Sequence, residues 1–158
     1  MIDDLYSARI LGLAANLPHA GRLAAPEGTG ERVARLCGSR AVVDVVLNDE
    51  GRITGFAQDI KACALGQAAA GVIGKAVLGA SPDEITAAAA ALTDMLKAGG
   101  AGPEGRFEGL RVLKPVSDYP QRHASTQVAM GALLDAVDMA LATRDVPGTE
   151  RTRRAGAA

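Results

Sequence analysis

The sequence predicts an α+β domain: a three-stranded antiparallel sheet packed against helices. Three observations predict it. A valine-rich run, "AVVDVVL" at 41–47, is followed by the turn residues "NDEG" and a further strand-like stretch. Next, "SPDE" at 81–84 is a helix start, with Ser81 as N-cap, Pro82 at the first helical position and Glu84 closing a capping box. Finally, Met130, Leu134, Val137 and Leu141 recur at helical spacing near the end of the chain.

At the N-terminus, Ile2, Tyr6, Ile10 and Leu13 lie on one face of a short amphipathic helix over 2–14. The stretch 16–31 has two prolines, three glycines and no period, and is expected to be a loop. Strands are then expected from Arg32 to Cys63: "RVARLC", "AVVDVVL" and "RITGFAQDIKA", joined as a meander. In the second, Val43, Val45 and Leu47 share one side and Asp44 the other. Cys37 is placed at the close of the first strand and Cys63 just after the third. In a meander these two strands run the same way, so both cysteines are expected at one edge of the sheet.

Past Cys63, "ALGQAAAGVIGKAVLG" carries glycines at 66, 71 and 74, small residues that let a helix press close to its neighbours before Gly79 ends it. The helix opened by Ser81 turns Ile85, Ala89, Leu92 and Leu96 inward and stops at Gly99-Gly100. Residues 101–121 are expected to be irregular, with one helical turn at Phe107 to Leu110. A last helix is expected from about Pro120 to Thr143. The tail from 145 to 158 has too few apolar residues to dock and is expected to be disordered, leaving 1–144 as one domain.

Composition narrows the functions. Of 158 residues, 48% are hydrophobic and 22% charged, the profile of a globular domain. Aromatics are 3% and tryptophan is absent, which disfavours a base-stacking platform, and the formal net charge of -1 disfavours a phosphate- or membrane-coating role. No nucleic-acid or membrane partner is expected. No stretch reads as a signal peptide or a spanning segment, so a cytoplasmic location is expected.

Two cysteines 26 positions apart do not make a disulfide framework. Cys63 sits where a strand hands over to a helix, near unpaired backbone N–H groups and the positive end of the helix dipole. Cys37 lies between Arg35 and Arg40, beside Gly38. Such surroundings favour thiolates, which bind soft metals and attack sulfur; the same residues equally fit small buried hydrophobes. His123, in the first turn of the last helix, fits either a ligand or proton carrier or a polar surface residue, and Ser125 fits a helix-start residue. The two do not form a catalytic pair, since side chains two apart diverge on a helix. His19 has no local partner, and no Walker loop, dinucleotide fingerprint or zinc-protease helix occurs.

Together, "LYSARILGLAANLPHAGRL", "LCGS", "VVLNDEGRITGFAQDIKACALGQAAAGVIGKAVLGASPDEI" and "YPQRHAST" resemble the NifU-like iron-sulfur cluster assembly scaffold family, which includes the IscU and SufU branches. The resemblance covers residues 4 to about 142 and implies the SufE/NifU-like (IscU-like) fold. Members carry a C-G-D triplet after the first strand, a cysteine opening the next helix and a cysteine at the start of the final helix. Cys37 and Cys63 match the first two cysteines. Ser39 stands where the aspartate belongs, and Ser125 falls on the third cysteine. A one-residue shift would put Ala124 there and pair His123 with the histidine that precedes that cysteine in one branch.

The resemblance implies a scaffold that receives iron and sulfide, or persulfide sulfur from a pyridoxal-phosphate cysteine desulfurase, and passes it to recipient apo-proteins. Cys37 and Cys63 would be sulfur acceptors and ligands, with His123 a third ligand. The cargo would be a transient iron-sulfur cluster; zinc is the alternative, in a sulfurtransferase resembling the SufU branch. Clusters and structural zinc usually take four donors, so the two replaced ligands also fit a paralogue that keeps the fold and acts by binding partners. A scaffold or binding protein is expected rather than a free-standing enzyme.

Overall fold

A computed structural model describes residues 6–145. Helix α1, Ala8–Ala15, is capped by Ser7, whose hydroxyl accepts from the Ile10 N–H. It buries Ile10, with Tyr6 and Leu13 partly covered on the same face, as expected. Ile2 lies outside the described residues.

Three strands follow: β1 Gly28–Ala34, β2 Ser39–Leu47 and β3 Ile53–Lys61, in the sheet order β1-β2-β3 and antiparallel throughout. The register places Ala34 opposite Ser39, and Arg40 opposite Lys61, so the end of β1, the start of β2 and the end of β3 lie abreast at one edge. The β2–β3 turn is closed by Asn48, whose side chain accepts from the Glu50 and Arg52 N–H groups.

Strand β1 corrects the expected boundaries. It begins at Gly28, inside the expected loop, and ends at Ala34, so that Cys37 lies in the hairpin turn rather than closing the strand. The glycines that read as loop signals are what let this strand form: a Cβ at Gly30 would sit 2.0 Å from the Ala132 carbonyl oxygen of the final helix. Only a bare backbone can approach that closely.

Helix α2, Ala64–Ala76, starts at Cys63 as N-cap and is buried along most of its length. It stops three residues before Gly79, which sits in the following loop and donates its N–H to the Ile53 carbonyl at 2.7 Å. Helix α3, Pro82–Ala98, has the expected capping box, Ser81 Oγ accepting from the Glu84 N–H and Glu84 from the Ser81 N–H. Gly99 in the left-handed region ends it, and Ile85, Leu92 and Leu96 are buried while Ala89 is half-buried.

The expected irregular stretch is a run of 3-10 turns over Gly105–Asp118, broken at Phe107, that buries Phe107, Leu110, Leu113 and Val116. A short 3-10 turn, Pro120–Arg122, leads into α4, His123–Asp145. Helix α4 therefore starts three residues later than expected and runs past Thr143. The rest of the expected tail lies outside the described residues.

Helix α4 lies against β1, β2, α2 and α3. Besides the predicted Met130 and Val137, it buries Val128, Ala129, Ala132, Leu133, Ala136 and Ala140, while Leu134 and Leu141 are half-buried. A helix apolar nearly all round is one enclosed by its neighbours. The sheet's other face is covered by the segment between α1 and β1, which pairs with Gln58 of β3 through His19 and Gly21. That cover buries Asp44 completely. Its carboxylate accepts from Arg22 Nε at 2.6 Å, Thr29 Oγ1 at 2.6 Å and the Leu23 N–H at 3.0 Å. Burial raises the Asp44 pKa, and the bonds from Arg22, Thr29 and Leu23 outweigh it, leaving the carboxyl below its ordinary value.

Candidate functional site

The rim formed by the ends of β1 and β3 and the start of β2 carries both cysteines. Cys37 is exposed on the β1–β2 turn, which Gly38 makes with φ 75° while donating its N–H to the Ala34 carbonyl. Only glycine holds that backbone conformation without strain. Ser39, the first residue of β2, is buried beneath the turn, and its Oγ lies 3.1 Å from Cys37 Sγ. The thiol donates when protonated and the hydroxyl donates to a thiolate. Hydrogen bonding to Ser39 lowers the Cys37 pKa from its ordinary value.

Cys63 reaches the same place from the other side. As N-cap of α2 it has extended backbone, makes no side-chain cap bond, and leaves the first N–H groups of the helix beside its sulfur. It is half-buried against the core. Ser125, fully buried in the first turn of α4, lies with its Oγ 3.5 Å from Cys63 Sγ. The serine within hydrogen-bond distance of the Cys37 sulfur is Ser39, and Ser125 adds a smaller lowering of the Cys37 pKa. The Ser125 proton has an acceptor in the Arg122 carbonyl at 3.1 Å.

Gly66 makes this meeting feasible. A Cβ there would sit 2.7 Å from the Ser125 carbonyl oxygen, so α2 and the start of α4 touch backbone to backbone one turn beyond Cys63.

His123 is placed differently. Its ring is buried and its Nε2 lies 2.9 Å from the Val116 carbonyl, tying the start of α4 to the 3-10 run. Among the described residues no three His, Cys, Asp or Glu side chains gather into a metal-binding group, so the structure does not join His123 to the two thiols as a third donor. His19 is remote in role: its ring packs edge-on against Phe56.

The site is a surface rim rather than a pocket. A groove of about 290 Å³ between β1, α3 and α4, lined by Val33, Leu92, Val128 and Met130 among others, contains neither cysteine. Small-molecule sites are concave and enclosing, whereas an exposed thiol at a hairpin tip suits a macromolecular visitor. Leu36, 94% exposed beside Cys37, adds an apolar contact at that tip.

The residues alone could not show that Ser125 meets Cys63, because the contact depends on how α2 and α4 cross; the family resemblance did set Ser125 at a ligand position.

A nitrogen-fixing NifU-like protein (N-terminal) from Brucella abortus superposes with a TM-score of 0.86 at 42% sequence identity, over 89% of this chain and 97% of that one. The chain belongs to the NifU-like family. A second structure, a putative iron-sulfur cluster assembly scaffold protein for the SUF system from Fervidobacterium islandicum, shares the NifU-like fold at TM-score 0.77 and 18% identity, over 85% and 98% of the two chains. A hypothetical protein does so at TM-score 0.71 and 25% identity, over 86% and 98%. No family model matches the chain, and no curated protein does. Within this NifU-like fold the four converging side chains are Cys37, Ser39, Cys63 and Ser125. No helix among the described residues is long and apolar enough to cross a membrane.

Proposed function

We propose that this NifU-like protein acts in iron-sulfur cluster assembly as a scaffold-type acceptor, taking up sulfur, or iron with sulfide, transiently through Cys37 and Cys63. The observation that carries this reading is the strand register, which sets the exposed Cys37 turn beside the end of β3 that leads into Cys63, with each thiol against a buried serine hydroxyl. Sulfur would come from the persulfide of a cysteine desulfurase by thiolate attack, and the acceptors would be recipient apo-proteins, in the cytoplasm. Two thiolates leave half of an ordinary cluster ligand set to be filled by an external thiol or a second chain. Anaerobic reconstitution with iron and sulfide is expected to give visible absorption that Cys37→Ser and Cys63→Ser each abolish. Absence of that absorption in the parent protein would overturn cluster binding.

The donor count favours a second reading, a NifU-like paralogue that holds no cluster and acts by binding partners. Ser39 and Ser125 are poor substitutes for sulfur and carboxylate donors. Desulfurase capture that survives changing both cysteines to serine supports it. A zinc-dependent sulfurtransferase fits less well, because among the described residues no third donor joins the two thiolates, short of the four-donor set that structural zinc takes.

A further inference from the structure

The two thiols are unequal in access, and that inequality suggests a sequence of events. Cys37 stands exposed on the hairpin tip, next to an exposed leucine, while Cys63 is half-buried at the start of α2. A sulfur donor arriving at the rim meets Cys37 first. Cys63 lies at the same rim, since the register sets the Cys37 turn beside the end of β3 that leads into it, and its sulfur is 3.5 Å from the buried Ser125 hydroxyl. A donor set that is half of what a cluster requires is complete for dithiol chemistry, which needs one thiol to accept and one to resolve.

We propose that Cys37 accepts a sulfane sulfur and that Cys63 releases it as sulfide, closing a Cys37–Cys63 disulfide. The inference rests on the reading of Cys37 as a sulfur acceptor and adds a division of labour between the thiols. In the first step the Cys37 thiolate attacks the outer sulfur of a donor persulfide, the donor's S–S bond breaks, and the donor departs as a thiol. In the second, the Cys63 thiolate attacks Cys37 Sγ. The Cys37–Cys63 bond forms as the bond to the outer sulfur breaks. That sulfur takes the electron pair and leaves as hydrosulfide, which takes up the proton given up by Cys63. The sulfane sulfur is reduced by two electrons and the two thiols are oxidised by two, so this step needs no outside reductant. A dithiol reductant then reopens the disulfide for another turnover.

The test adds one equivalent of glutathione persulfide to the reduced full chain without oxygen, then reads sulfide release and intact mass. The parent protein is expected to release close to one equivalent of sulfide and to become about 2 Da lighter as a monomer, the signature of an internal disulfide. Cys63→Ser, which retains a good N-cap, is expected to gain about 32 Da on Cys37 as a stable persulfide and to release sulfide only after dithiothreitol. A parent protein that keeps the heavier mass with Cys63 still free, or that forms only a covalent dimer, overturns the division of labour. A Cys63→Ser protein that takes up no sulfur on Cys37 overturns the underlying acceptor reading instead.

Discussion

The environment of Cys37 is set chiefly by the buried Ser39 hydroxyl. Ser39 contributes the largest part of the depression of the Cys37 pKa, and depression enlarges the thiolate fraction near neutral pH. Ser39→Ala is therefore expected to shift the pH midpoint of Cys37 alkylation upward and to slow iodoacetamide labelling at pH 7 by about 2- to 10-fold. An unchanged midpoint would show that Ser39 is only a strand residue. The two cysteines and their local chemistry were legible in the sequence, because a strand-to-helix junction and an arginine-flanked glycine turn are local features. The residues alone did not pair Ser39 and Ser125 with them; the family resemblance did, by setting both serines at ligand positions. Serine at a strand start or in a first helical turn has common structural uses, and only the tertiary crossing distinguishes them. For His123 the sequence left open a ligand or proton carrier or a surface residue. Its burial beside the Val116 carbonyl contradicts the surface reading, which failed because the 3-10 run that covers the ring carries no clear period.

At the scale of elements, the close approach of α2 to α4 decides whether the thiols meet. Glycine in an exposed helix costs about 1 kcal/mol against alanine, so Gly66→Ala would stabilise a free helix. Here the added methyl would press on the Ser125 backbone, and overpacking of that kind costs about 1–3 kcal/mol. Urea unfolding of Gly66→Ala is expected to show a net loss of stability; a gain would mean that the helices separate freely. The segment covering the outer face of the sheet gives a second expectation. Asp44→Asn weakens the bonds to Arg22, Thr29 and Leu23, and is expected to cost about 1–3 kcal/mol at pH 7. Because the folded pKa of Asp44 lies below the unfolded one, its ionised form stabilises the protein above the unfolded value of about 4. That contribution is lost as pH falls through the lower folded value, so the gap between parent and Asp44→Asn is expected to narrow in acid. Urea midpoints at pH 7 and below pH 4 check it, and a constant gap would contradict the sign. Helix α3 was readable to its caps because a capping box and a left-handed glycine are local codes. Strand β1 was misplaced because its glycines answer to a helix about a hundred residues away, and the burial of Asp44 was not legible because its cover comes from a segment with no period.

Across the whole molecule, helix α4 is the element around which the sheet, α2 and α3 are arranged, and its first turn carries the hydroxyl that meets Cys63. Alternating valines, turn residues and helix caps were enough to predict three antiparallel strands packed against helices. They could not predict that the last helix is enclosed, since alanine-rich faces give weak periodicity. The account's central claim is that Cys37 and Cys63 form one working pair on an open rim. Phenylarsine oxide bridges two thiols only when they are neighbours, so one equivalent added to the reduced protein tests it most directly. Protection of both cysteines from alkylation by that single equivalent, lost when either is changed to serine, is the predicted result; both cysteines alkylating as they do without the arsenical would contradict it.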